Sequence, residues 1–252
     1  MLLQARGLSV AFDGFKAVDR FDLDLQRGEL LGIAGTNGAG KSTVFGAIAG
    51  QVPLNEGSLA FADIDITRLP VHRRARLGLA RTFQVPREFG QLTVRDNLLA
   101  AAPNDRHETL IAAWIGRRAA QQSDAELVKQ AETVLGLTGL LNQADTAAAN
   151  LSGGQKKLLE LARALMTRPS CILLDEPFAG VNPVLIEKLI AVLREIHAQG
   201  IALVIIEHHL QALRSLVQRL IVMDQGRIIA QGDPGSVLDD PRVAEAYMGG
   251  VV

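Results

Sequence analysis

The sequence predicts an α/β fold: a mostly parallel sheet core, an antiparallel β-subdomain leading into it, and an α-helical subdomain inserted over roughly residues 86–168. Three observations predict it. Leu30–Ala34, Ser170–Leu174 and Ile201–Ile206 are short apolar runs, the form of strands that a parallel sheet buries on both faces. Residues 2–11 and 18–26 alternate instead. Phe21, Leu23 and Leu25 share one face, Asp22, Asp24 and Gln26 the other, and Asp13-Gly14 between the segments is a turn signal. Residues 94–143 are rich in helical pattern and interrupt the alternation of strand and helix.

The strand at Leu30–Ala34 runs into Gly35-Thr36-Asn37-Gly38-Ala39-Gly40-Lys41-Ser42-Thr43, which fits the pattern G-x-x-x-x-G-K-[ST]. Val44–Ala49 behind it reads as a helix. Glycines let backbone N–H groups turn inward around a phosphate that side chains would block. A helix starting near Gly40 adds the positive end of its dipole and its unpaired amides. Lys41 brings a charge to β- and γ-phosphates, and Ser42 offers a hydroxyl to Mg²⁺. Phe12, upstream near the turn, can stack on a base; a phenylalanine at a strand end also suits the core.

Further along, Pro53–Gly57 is a turn, Ser58–Phe61 and Ile64–Ile66 are short strands, and Pro70–Arg76 is a short basic helix. Arg73, Arg74, Arg76, Arg81 and Arg87 read as a solvated face near an anionic ligand. Gln84, just after a strand, can reach a metal or a water, although solvent exposure is its default. Thr93 caps a helix over Val94–Ala102, which Pro103-Asn104-Asp105 breaks. Trp114, with Leu110, Ile111 and Ile115, reads as local core or a partner contact. Ser123 and Glu126 form a capping box for the next helix, with Leu127, Val128, Ala131, Val134 and Leu135 on one side.

Leu151-Ser152-Gly153-Gly154-Gln155 opens a helix whose Leu158, Leu161, Ala162 and Leu165 share a buried face. Ser152 is its cap, and Gly153-Gly154 leave the first turn's amides uncovered, a second phosphate-binding helix start. The strand ending at Leu174 delivers Asp175 and Glu176 to its C-terminal end, where open α/β sheets bind ligands. Asp175 can hold Mg²⁺ through water, and Glu176 can orient an attacking water or take its proton. Asn182-Pro183 starts a helix with Leu185, Leu189, Leu193 and Ile196 buried, and Gly200 closes it. Glu207-His208-His209 follows the last buried run; a histidine there can contact a γ-phosphate, and the pair also suits a loop. Leu220–Met223 and Arg227–Gln231 are strands around Asp224-Gln225-Gly226, and helical turns lead to Tyr247.

Length and composition set the bounds. The chain has 252 residues and 48% hydrophobic content, ample for one large domain with a subdomain. A formal net charge of −1 gives no basic field for nucleic acid. The single cysteine, Cys171, excludes an intrachain disulfide and suits the cytosol. The N-terminus lacks the apolar core of a signal peptide, and no apolar run approaches the roughly 18 residues of a membrane span, so a membrane role needs a partner.

Taken in order, these motifs resemble the ATP-binding subunits of ABC transporters over essentially the whole chain. Leu151–Gln155 matches that family's signature, and it stands with the P-loop and Ile172-Leu173-Leu174-Asp175-Glu176-Pro177. The resemblance implies a P-loop NTPase (RecA-like) core that binds ATP and Mg²⁺ and hydrolyses ATP to drive transport. It implies that Gly35 through Thr43 bind phosphates and metal and that Phe12 takes the place of the base-stacking aromatic. Gln84 becomes the loop glutamine linking Mg²⁺ to the membrane partner, Asp175 the strand aspartate, Glu176 the catalytic glutamate and His208 the switch histidine. Two such domains, identical or not, dimerise head to tail, each ATP lying between one P-loop and Ser152–Gln155 of the other subunit. The implied partners are integral membrane permease subunits and, through them, a solute-binding protein; the implied location is the cytoplasmic face of the inner membrane.

Arg81-Thr82-Phe83-Gln84, Ala179-Gly180-Val181-Asn182-Pro183, the insertion near 103–122 and Ala246-Tyr247-Met248-Gly249 resemble the branched-chain amino acid uptake ATPases. Asp175 through Val181 is similar to lipopolysaccharide-export ATPases as well. Three residues depart from the common pattern: Asn182 and His209 where aspartates are frequent, and Thr36 where proline is. None removes a group that hydrolysis needs. A soluble ABC ATPase acting on DNA or ribosomes would carry a coiled-coil insertion or tandem domains, and a P-loop kinase leaves Leu151–Gln155 unexplained.

Overall fold

The computed structural model describes residues 1–82, 88–103 and 117–249. The chain divides into two compact units: Met1–Gln84 with Pro169–Ala179 and Ile186–Val252, and Val85–Arg168 with Gly180–Leu185.

The first unit holds two sheets. β1 (Leu3–Phe12), β2 (Phe15–Leu25), β4 (Glu56–Phe61) and β5 (Ile64–Asp65) form an antiparallel sheet in the order β2-β1-β4-β5. The other sheet is β3 (Leu30–Gly35), β6 (Leu79–Arg81), β7 (Cys171–Asp175), β8 (Ala202–Ile206), β9 (Arg219–Asp224) and β10 (Arg227–Gly232), ordered β10-β9-β3-β8-β7-β6. Its pairs are parallel except β9 with β10. Every residue of β3, β7 and β8 is buried, as their apolar sequences require; the one charged residue among them is Asp175 at the end of β7. Ile33 and Asp175 both register with Ile206, so these strands end level and their loops emerge at one edge.

α1 (Lys41–Ala49) contacts strands of both sheets. Leu3 and Phe21 of the antiparallel sheet, Phe45 and Ile48 of α1, and Leu173 and Val204 of the parallel sheet belong to one continuous core. Each such fully buried side chain contributes about 1.5–3 kcal/mol relative to exposure. α2 (Val71–Arg76) precedes β6; among the described residues, no helix is long and apolar enough to cross a membrane.

In the second unit α3 (Val94–Ala101), α4 (Arg117–Thr138) and α5 (Gly153–Met166) pack together, burying Leu98, Ala131, Leu135, Leu158 and Leu161. Thr93 caps α3 by accepting the Asp96 N–H. α6 (Pro183–Ala198) starts where Asn182 accepts the Leu185 N–H at 2.9 Å, and buries Leu189, Val192, Leu193 and Ile196. α7 (Leu210–Leu216), α8 (Pro234–Leu238) and α9 (Pro241–Gly249) complete the first unit.

Two expectations are corrected. Ser123 does not start a helix: α4 already runs from Arg117, because Arg, Ala and Gln in its first turns are good helix formers in their own right. Arg74 does not lie on a solvated face. It is 4% exposed and donates to the carbonyls of Ala47 and Ile48 at the negative end of α1, and to those of Leu69 and Thr67. Trp114 and Arg87 lie outside the described residues.

Candidate functional site

The loop leaving β3 is shaped by glycines whose backbone excludes any other residue. Gly35 has φ +149°, and a Cβ there would stand 2.2 Å from the Met223 carbonyl oxygen; at Gly40, φ +95°, it would stand 2.4 Å from that of Ala17. A Cβ on Gly38 would meet nothing within 4 Å, so this side of the loop is open to a ligand. No side chain caps α1 at Gly40. Lys41 is 5% exposed, and its Nζ donates to the carbonyls of Gly35 and Thr36 at 2.8 Å each. Burial lowers its pKa, and the carboxylates of Glu176 and Asp175 push it back up. An enclosed ammonium resting on uncharged carbonyls is suited to an incoming anion. An open cavity of about 720 Å³ lies against Thr36, Asn37, Gly38 and Ala39, with Asp224 and Arg242 also lining it. The Thr36 hydroxyl donates to Asp224 at 3.2 Å. Ser42 is exposed beside this loop and Thr43 half-buried.

The ends of β7 and β8 carry the acidic groups to the same edge. Asp175 is buried, and its Oδ2 accepts from Arg81 Nη2 at 2.8 Å. Arg81 is itself held: Nη1 donates to Gln51 at 2.5 Å, and the guanidinium lies 5.9 Å from the Phe45 ring centroid. A buried carboxylate and a hydroxyl at one sheet edge suit Mg²⁺, which keeps waters and takes phosphate oxygens for the rest of its shell. Among the described residues there is no cluster of three His, Cys, Asp or Glu that would hold a metal by itself.

Glu176 sits in the left-handed region with φ +49°. Its N–H donates to the Ile206 carbonyl at 3.0 Å, and its Oε1 lies 2.9 Å from His208 Nε2. The structure thus brings Glu176 and His208 together, a carboxylate oriented by an imidazole and able to accept a proton from water. Between these loops Glu207 is 3% exposed. Its Oε1 accepts the Phe178 N–H at 2.5 Å and its Oε2 the N–H groups of His208 and His209 at 3.1 and 3.5 Å. Burial raises its pKa, and these amides oppose the rise. His209 caps α7, its Nδ1 accepting the Ala212 N–H at 3.2 Å.

The second unit carries the other glycine-rich helix start. Ser152 Oγ accepts the Gln155 N–H at 3.3 Å, and the Gln155 side-chain oxygen accepts the Ser152 N–H at 2.9 Å, a full capping box. A Cβ on Gly153 would meet nothing within 4 Å, whereas one on Gly154 would come within 1.7 Å of Leu185 Cδ2. Phe12 is exposed at the end of β1, registered opposite Phe15, so it is not a core residue. Gln84 lies outside the described residues.

Sequence reasoning passed over Arg81 and Glu207. Arg81 reads as one of a group of surface cations, but it ends a strand beside β7, where a side chain at strand end reaches the neighbouring carboxylate. Glu207 closes a five-residue apolar strand, the same signal that singled out Asp175 and Glu176.

Comparison with known proteins bears on this geometry. Residues 18–179 match the family described as ABC transporter, and residues 227–252 one described as branched-chain amino acid ATP-binding cassette transporter. The chain is 38% identical to the probable branched-chain amino acid transport ATP-binding protein LivG of Archaeoglobus fulgidus, over 98% of this chain and 95% of that one. It is 34% identical to the lipopolysaccharide export system ATP-binding protein LptB of Acidithiobacillus ferridurans, over 98% and 97%. A solved structure described as the ADP conformation of an ATP-binding cassette of an ABC transporter superposes with a TM-score of 0.86, at 35% identity and 98% coverage of each chain. With the phosphate loop, the paired carboxylates and the glycine-rich helix start in family order, the chain belongs to the ABC transporter family, among its ATP-hydrolysing ATP-binding subunits.

Proposed function

We propose that this chain is the motor of a membrane importer for branched-chain or related amino acids. It works at the cytoplasmic face of the inner membrane on separate permease subunits, to which a solute-binding protein delivers the solute. The observation that carries the reading is the C-terminal segment: residues 227–252, beyond the general ATPase core, match the branched-chain group.

In this reading Gly35–Thr43 enclose the phosphates of ATP, with Lys41 exchanging its loop carbonyls for the β- and γ-phosphates. Ser42, Gln84 and Asp175 hold Mg²⁺, which when bound neutralises phosphate charge. Glu176 orients the attacking water and takes its proton, and His208, 2.9 Å away, steadies it and contacts the γ-phosphate. Phe12, exposed, stacks on the base. Ser152–Gln155 of a second ATP-binding subunit closes over the nucleotide. Loss of the γ-phosphate then opens the pair, because a closed dimer favours ATP over ADP.

Purification of the tagged chain from gently solubilised membranes of the native host tests the assignment. Two polytopic proteins and a second ATPase recovered with it are expected. Recovery of export components would favour the lipopolysaccharide-export reading that the 34% identity to LptB supports, and would overturn import. Glu176→Gln is expected to lower turnover at least about a hundredfold while stabilising an ATP-bound dimer; unchanged turnover would remove Glu176 from its role.

A further inference from the structure

We infer that Glu207 is the positioning residue that holds Glu176 and His208 face to face; the inference rests on Glu176 acting on the attacking water. One buried carboxylate bridges the two loops that carry the pair. Its Oε1 accepts from Phe178, two residues beyond Glu176, and its Oε2 from the amides of His208 and His209. Glu176 is held in a backbone conformation that a non-glycine residue adopts only when its surroundings impose it. On one side the imposed contact is the Glu176 N–H to the Ile206 carbonyl. On the other it is the Glu207–Phe178 bond, which fixes the path of the chain just after Glu176. Carboxylate-to-amide bonds are charge-assisted, and a buried carboxylate in turn requires them, so carboxylate and loops stabilise one another. A glutamine cannot replace it. With one acceptor oxygen, it would turn its NH₂ toward one loop's N–H groups and release that loop.

The test compares Glu207→Gln with the parent chain by nucleotide affinity, turnover and amide hydrogen exchange. Because the phosphate loop is untouched, nucleotide affinity is expected to stay within about twofold, while kcat falls at least about tenfold, the scale of one charge-assisted hydrogen bond. Exchange at the amides of Phe178, His208 and His209 is expected to accelerate. In a Glu176→Gln background, Glu207→Gln is expected to add no further loss of kcat. Glu207→Asp, one methylene shorter and still charged, is expected to shift exchange and kcat the same way by less, and serves if the glutamine variant does not fold. Unchanged kcat, or a loss of kcat with no change in exchange at these amides, would overturn the inference. Undiminished turnover in Glu176→Gln alone would overturn the reading of Glu176, and this inference with it; failure confined to Glu207 leaves that reading standing.

Discussion

Two helix starts in this chain read alike as phosphate sites, yet they are built oppositely. α1 begins at a left-handed glycine with no side-chain cap, and its first residue, Lys41, is buried with its ammonium on loop carbonyls. α5 begins with a complete capping box that satisfies the Ser152 and Gln155 amides from within the segment. The first terminus keeps an uncapped arrangement because its glycines at positive φ pack against the Met223 and Ala17 carbonyls, where no Cβ fits. The second satisfies the Ser152 and Gln155 amides from within its own segment and leaves those of Gly153 and Gly154 outside the capping box. Glycine-rich helix starts therefore differ in which amides they leave to a ligand: those of the whole first turn at α1, and those between the two box residues at α5.

Lys41→Met breaks the comparison most strongly. On the proposed assignment nucleotide affinity falls about a hundredfold or more, the scale of two charge-assisted contacts. The nucleotide-free chain should melt no lower than the parent, because a desolvated ammonium is replaced by an apolar side chain of similar length. A lower melting temperature without nucleotide would show that the lysine is structural.

The two glycines of the α5 start separate space from ligand. Gly154→Ala is expected to destabilise by about 1–3 kcal/mol, because its Cβ drives into Leu185, and Leu185→Ala should recover most of that. Gly153→Ala meets nothing and should stabilise by about 0.5–1 kcal/mol through helix propensity. Denaturant melts of the three variants check this; equal effects at both glycines would refute the packing account of Gly154.

Ser152→Ala is expected to lose about 1 kcal/mol from the missing cap. Burial pushes the Cys171 thiol up to about 12, so alkylation near neutral pH reports opening of β7 in the first unit. Native-state labelling of Cys171 is expected to be unchanged in Ser152→Ala, whose lost bonds are local to the second unit. Faster labelling would show that the cap stabilises both units together.

Much of this molecule is legible in the residues. Unbroken apolar runs give β3, β7 and β8 because only a strand covered on both faces tolerates them, and alternation gives β1 and β2. Thr93, Ser152 and Asn182 cap the helices they precede, since a side-chain oxygen and an amide three residues on need no distant partner. The phosphate loop and the acidic strand end are likewise local patterns, readable one segment at a time.

Tertiary structure decided what depends on neighbours remote in sequence. Arg74 and Arg81 look like surface cations until α1 offers one its carbonyls and β7 offers the other Asp175. His209 looks like a lost aspartate and is instead the cap of α7. Glu207 becomes a bridge only because β7 and β8 end level, putting Phe178 and His208 within reach of one carboxylate. The sequence by itself determined which segments become strands and helices and which chemical groups stand at their ends, because those follow from local periodicity and short-range hydrogen bonds. Which charges are buried, and against whom, was settled by sheet order and register, since a charge takes its character from groups that only the folded chain brings beside it.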